Sequence, residues 1–156
     1  MRAIRLGAIC PEPMGGEGMD LIERMFAAAR QAQAQAYAPY SRFRVGAAVA
    51  CANGKIFSGC NVENAALPNG TCAETAAIAQ MIASGEQRIA AILILGEGEQ
   101  LVTPCGGCRQ RIREFADEAT AVHVAGPGGL RQSFTLAELL PHSFGPDHLG
   151  RGATSR

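Results

Sequence analysis

Two short segments, Cys72-Ala73-Glu74 and Pro104-Cys105-Gly106-Gly107-Cys108, bring together three thiols and a carboxylate. Thiolate sulfur suits zinc. A structural zinc site closes its coordination with four protein ligands, whereas a catalytic one leaves a position for water. Cys72, Cys105 and Cys108 supply three ligands, so the inventory is that of a catalytic site holding one Zn2+ per chain. Glu74 is then free of ligand duty. Two residues from a ligand, it can reach water at the metal, accept its proton and deliver it elsewhere, which is general acid and base work. Read without a metal, Thr71-Cys72-Ala73-Glu74 is also a capping box, in which the Glu side chain bonds back to the residue that opens the helix. A Cys-x-x-Cys pair alone fits zinc and redox sites equally, and the third Cys with its spaced Glu selects zinc.

Both motifs stand where a helix should begin. Thr71 follows the turn residues Pro68-Asn69-Gly70, and Thr103-Pro104 reads as a cap followed by proline at the first helical position. Cys105 and Cys108 then share one helix face, and all three thiols lie near positive dipole ends, which lower thiol pKa. Helices are expected over residues 71–84 and 104–116, and an earlier one from Asp20, with Leu21, Ile22, Met25, Phe26 and Ala29 on one face and Pro39 beyond its end. Residues 45–51 and 55–62 are β-prone and joined by Ala52-Asn53-Gly54, a hairpin signal that predicts antiparallel pairing. The apolar run 89–95 predicts a strand covered on both faces. Residues 120–125, a short ribbon near Gln132 and a helical turn at 136–140 complete the pattern. The expected class is α/β, a mixed sheet of about five strands with helices on both faces in three layers.

The 156 residues suit one domain: a flexible extension over 1–18, the folded unit over 19–149, and a polar tail over 150–156. Formal net charge is zero, which argues against a nucleic-acid polymer as partner. No apolar run approaches the roughly 20 residues of a membrane span, and the first residues lack a signal-peptide core, so a cytoplasmic location is expected. Cys10, Cys51 and Cys60 lie outside the motifs and read as inert thiols. His123, His142 and His148 read as structural or exposed side chains.

The chain resembles the cytidine deaminase family, in its small homotetrameric type with three cysteine ligands. The likeness covers roughly residues 20–149 and rests on five motifs in order. They are Tyr40-Ser41-Arg42-Phe43-Arg44-Val45-Gly46-Ala47-Ala48, Asn61-Val62-Glu63-Asn64-Ala65, the two cysteine motifs, and Leu139-Leu140-Pro141-His142-Ser143-Phe144-Gly145-Pro146. The resemblance implies hydrolytic deamination of cytidine or deoxycytidine in pyrimidine salvage, with zinc-bound hydroxide attacking C4 and Glu74 shuttling protons. It implies that Phe43 lines the nucleoside pocket, Asn61 and Glu63 hold the ribose, the Ala73 backbone faces the base edge, and Phe144 covers the base in a neighbouring subunit of a homotetramer. Two positions depart from the pattern. Thr75 stands where many members carry Arg, leaving Arg109 and the helix N-termini to offset thiolate charge, and Leu67 stands where Tyr is common.

Taken singly, these residues have plainer readings. Phe43 is an ordinary core aromatic, Asn61 to Asn64 a solvated strand end, and Phe144 an apolar anchor for a short tail. Two other functions fit the cysteines. One is deamination of a modified aminonucleoside, as in the blasticidin S deaminases; the other is a structural zinc module in which Cys60 or His123 closes a four-ligand site.

Overall fold

Asn53 and Gly54 set the first strand pairing. In the computed structural model, which describes residues 20–150, Gly54 takes φ +83° and donates its amide to Cys51 O at 3.0 Å. Asn53 Oδ1 accepts from the Lys55 amide at 3.1 Å. The turn closes β1 (Gly46–Ala50) against β2 (Ile56–Cys60) in the antiparallel register expected of it. The expected extension over 1–18, Cys10 with it, and all of the expected tail but Gly150 lie outside the described residues.

β3 (Ala91–Leu95), β4 (Ala121–Gly126) and β5 (Gly129–Thr135) complete a mixed five-stranded sheet in the order β2-β1-β3-β4-β5. Only β3 and β4 run parallel, and the helix between them makes the crossover. β1 and β3 are buried along their whole length. That follows from covering both faces, which removes any need for alternation with polar residues.

The cover is unequal. α1 (Leu21–Gln33) lies on one face, where Met25 and Ala29 meet Ala48, Ala50, Leu93 and Leu95. α2 (Ala73–Ala83), α3 (Gly106–Phe115) and the short α4 (Leu136–Leu139) lie on the other, packing Ala77, Met81, Ile112 and Leu136 on Ala47, Val49, Ile92, Ile94 and Val122. Burying a side chain such as Met81 or Ile92 contributes about 1.5–3 kcal/mol. These two clusters make the three expected layers. Asp20 precedes α1 without a side-chain cap bond, and α1 ends at Gln33, well short of Pro39. There Gln33 Nε2 turns inward and donates to Arg44 O and Leu95 O.

Small residues let α2 sit close to the sheet. A Cβ on Gly59 of β2 would stand 2.5 Å from Ala77 N and 2.8 Å from Ala73 O, inside van der Waals contact with the helix backbone. The first turn of α2 is therefore seated directly on β2.

Candidate active site

α2 and α3 end side by side, and their N-termini bring the three thiols together. The helices begin later than their flanking Thr residues suggest. Cys72 is itself the residue capping α2, and Cys105 the one capping α3, neither with a side-chain cap bond. Thr71 instead pairs with Val62 in an isolated bridge, and Thr103 Oγ1 accepts from Arg109. Cys108 lies one turn into α3 and is buried.

The Sγ atoms of Cys72, Cys105 and Cys108 all lie within 4.8 Å of one another, with Cys72 and Cys105 4.0 Å apart. Thiolates about 2.3 Å from a tetrahedral ion stand about 3.8 Å from each other. The trio fits zinc with little movement. Among the described residues no further His, Cys, Asp or Glu joins this group. His123 pairs with Ser133 Oγ on the sheet, and burial pushes the Cys60 thiol up. A closed four-ligand site is thus not built here.

The metal-free thiols differ among themselves, against the expectation that all three are acidified. Burial pushes Cys72 and Cys108 up, reinforced at Cys108 by the charge of Glu74. Burial also pushes Cys105 upward, but hydrogen bonds from the Cys108 amide and the neighbouring thiols outweigh it and hold Cys105 below the ordinary thiol value. Cys105 is the exposed member of the set.

Glu74 is 4% exposed. With Thr71 paired to Val62, the capping box does not form, and the Glu74 carboxyl turns into the site, in hydrogen-bond reach of its own amide and of the Cys108 thiol. A genuine capping box does occur at Thr135 and Glu138, where the Glu remains exposed. Burial raises the Glu74 pKa, opposed by those hydrogen bonds and by the charge of Arg111. A carboxyl so placed holds its proton more readily than an exposed one.

Beyond the thiols, loop 37–45 and segment 61–64 form a rim. Asn61 Oδ1 accepts from Val45 N at 2.8 Å, and its Nδ2 donates to Phe43 O at 2.9 Å. Glu63 accepts from Tyr40 N at 2.8 Å and Ser41 N at 3.2 Å, and from the Ser41 hydroxyl. That hydroxyl and the two amides hold the Glu63 carboxyl below the usual range. Asn61 and Glu63 thus shape the loop that bears Phe43, which is 38% exposed and stands outside the core. Ala73 is fully buried at the start of α2. Phe144 is 59% exposed, so it is no tail anchor, and it stacks on His148 with ring centroids 5.0 Å apart.

Residues 19–124 match the family model described as the cytidine and deoxycytidylate deaminase zinc-binding region. The chain belongs to the cytidine and deoxycytidylate deaminase family. The cytidine deaminase of Sporosarcina psychrophila is 37% identical over 132 residues, spanning 85% of this chain and 97% of that one. The crystal structure of cytidine deaminase from Burkholderia pseudomallei is 39% identical with a TM-score of 0.73, covering 78% of this chain and 98% of that one. That from Mycobacterium tuberculosis is 36% identical with a TM-score of 0.67, covering 79% and 96%.

Within this deaminase, two sets of contacts escape a reading of the motifs. Arg109, expected as a counter-charge, donates to Pro104 O at 2.8 Å, Leu139 O at 2.7 Å and Thr103 Oγ1 at 2.9 Å, bracing the loop that carries Cys105. Arg111 is the arginine whose charge acts on Glu74, and its Nη1 lies 3.1 Å from where a Gly107 Cβ would stand. Ser41 and the amide of Tyr40 are the second set, tying Glu63 into the rim. Nothing in residue type separates these arginines or this serine from solvated ones until the loops are folded.

Proposed function

We propose that the protein is a zinc-dependent hydrolase that converts cytidine or deoxycytidine and water into uridine or deoxyuridine and ammonia. The observation that carries this reading is the buried Glu74 carboxyl standing beside three convergent thiols without belonging to their group. Zinc held by Cys72, Cys105 and Cys108 supplies, when bound, the Lewis acidity that makes water a nucleophile near neutral pH.

Glu74 performs the proton transfers. It accepts a proton from the water that adds at C4 and passes it to N3, so the ring loses its double bond at that position. It then takes a second proton from the C4 hydroxyl and gives it to the exocyclic amine. Ammonia leaves as the C4–N bond breaks and the C4=O bond forms, and Glu74 ends in the protonation state in which it began. Burial suits this cycle, because desolvation disfavours the charged carboxylate and so eases its return to the protonated form.

The rim residues orient the nucleoside. Asn61 and Glu63 each keep hydrogen-bonding capacity beyond their loop contacts, since an amide has two N–H donors and each carboxylate oxygen accepts more than one bond. Sugar hydroxyls fill that capacity. Phe43 lies against the nucleoside, the backbone at Ala73 faces the base edge, and Phe144 covers the base of a neighbouring subunit. Exposed apolar side chains such as Leu67, Ile82 and Phe144 support assembly with further copies of the chain, as a homotetramer. Free thiols at Cys51 and Cys60 suit a reducing compartment, the cytoplasm. None of the helices among the described residues is long and apolar enough to cross a membrane.

Ammonia release from cytidine, deoxycytidine and blasticidin S by zinc-replete protein tests the reaction. Turnover of the first two is expected, and turnover of blasticidin S alone refutes the assignment. Light scattering of the same sample tests the tetramer.

A further inference from the structure

Arg113 is the one buried arginine among the described residues. Desolvating a guanidinium costs several kcal/mol unless its hydrogens are matched by partners. The partners of Arg113 all come from one distant segment. Nε donates to Ser143 Oγ at 3.1 Å, and Nη2 donates to Asp147 Oδ1 at 2.6 Å in an ion pair whose carboxylate is half-exposed. Gly145 passes so close that a Cβ there would stand 2.5 Å from the Arg113 Cζ. One turn nearer the thiols, Gln110 Nε2 donates to Phe144 O at 2.9 Å. The segment is closed on itself by Gly145 N donating to His148 Nδ1 at 3.1 Å.

Phe144 lies in the middle of this clasp, and its ring stays exposed. Among the described residues its ring has His148 alone as an aromatic neighbour, so its place depends on the backbone at 143–147 rather than on aromatic packing around the ring. That backbone is held by α3, the helix whose first turn carries Cys108. An exposed aromatic on a loose segment loses conformational freedom when it contacts a ligand, whereas one on a fixed backbone has lost most of it already.

We propose that Arg113, through Asp147 and Ser143, is a positioning residue that holds Phe144 ready to cover the substrate base. This rests on the reading of Phe144 as a base contact given above. The clasp fixes Phe144 relative to α3 of its own subunit, so the ring is presented to the neighbouring subunit's site from a rigid base. Gly145 is required because the guanidinium occupies the space of any side chain there.

Asp147→Ala tests this, since its half-exposed carboxylate lies outside the hydrophobic core, and Asp147→Asn, which keeps an oxygen acceptor for the buried guanidinium, is the companion variant if the alanine lowers stability. In zinc-loaded protein, KM for cytidine is expected to rise about tenfold with kcat held within about twofold, since binding is impaired and proton transfer is not. Amide hydrogen exchange at residues 143–148 is expected to quicken while zinc content stays the same. Gly145→Ala is expected to reproduce both effects by displacing the segment from Arg113. In a Phe144→Ala background, adding Asp147→Ala is expected to change KM by less than about twofold, because the two act through one side chain. Full additivity of the two KM effects, or unchanged exchange at 143–148 in Asp147→Ala, overturns the positioning role alone. An unchanged KM for Phe144→Ala by itself removes the base contact, and the positioning role with it.

Discussion

Replacing Gly59 with Ala moves the catalytic machinery without touching it. The new Cβ would stand 2.5 Å from Ala77 N, 2.6 Å from Ala76 Cβ and 2.8 Å from Ala73 O, whereas ordinary contact begins at 3.4 Å. Two of these three atoms are helix backbone and cannot swing aside. α2 must therefore retreat from β2 by about 0.6–0.9 Å at its first two turns, or the sheet must yield by as much. Overpacking of this kind costs about 1–3 kcal/mol of stability. The retreating end carries Cys72 and Glu74, while Cys105 and Cys108 stay with α3. Zinc ligands tolerate about 0.2 Å of error, and a misplacement near 1 Å costs catalysis about a hundredfold. Gly59→Ala is expected to fold, to bind zinc at least about tenfold more weakly, and to lose about two orders of magnitude in kcat. Competition against a chromophoric chelator and steady-state deamination of cytidine measure the two losses, with circular dichroism reporting the fold. Gly128→Ala, where no atom lies within 4 Å of the new Cβ, serves as the control and should match the parent. A Gly59→Ala protein with parental zinc affinity and turnover would show that α2 does not transmit displacement to the site.

Glu74→Gln should keep its zinc and lose about 10²–10⁴ in kcat, with a thermal midpoint no lower than the parent because a neutral amide replaces a carboxyl that burial disfavours when charged; a variant with a tenth of parental turnover removes Glu74 from proton transfer. In zinc-free protein, Cys105 should be alkylated first among the described thiols, since it is exposed and its thiol lies below the ordinary value, while burial holds Cys51, Cys60, Cys72 and Cys108 above it. Mass spectrometry should find that modification at Cys105 blocked on adding zinc, and equal labelling with and without zinc counts against the thiol site. Burial lowers the His123 pKa from 6.5, so the unfolded chain takes up this proton first and stability falls as pH drops from there through the folded value. His123→Gln should shrink the difference in urea midpoint between about pH 7.5 and about pH 5.5 at fixed protein concentration, and an unchanged difference assigns the slope elsewhere.

The hairpin at Asn53-Gly54 and the two-faced burial of Ala91–Leu95 were legible in the sequence because both depend on near neighbours and local patterning. Helix starts were less so. Thr71 and Thr103 are good caps by type, yet each has a better use in the folded chain, Thr71 in a bridge with Val62 and Thr103 as an acceptor for Arg109. The thiol set was legible, since three soft ligands in two motifs admit few meanings, but not their unequal acidity. Helix position alone predicts three acidified thiols, whereas desolvation, a property of the surrounding packing, dominates at Cys72 and Cys108.

The division follows the range of the interactions. Sequence alone determined which residues could bind metal, which carboxylate was spare and which family the motifs resemble, because these depend on residue type and short spacing. Tertiary structure decided that Glu74 is a buried carboxyl and not the exposed partner of a capping box, since that choice turns on burial and on where Thr71 pairs. It also decided that Asn61 and Glu63 build the rim with their side chains, and that Arg113 is bonded to residues thirty or more positions away. Charged and polar side chains look alike along a chain. Only the folded backbone, by bringing distant acceptors within hydrogen-bond reach and excluding water from some of them, gives each a separate role.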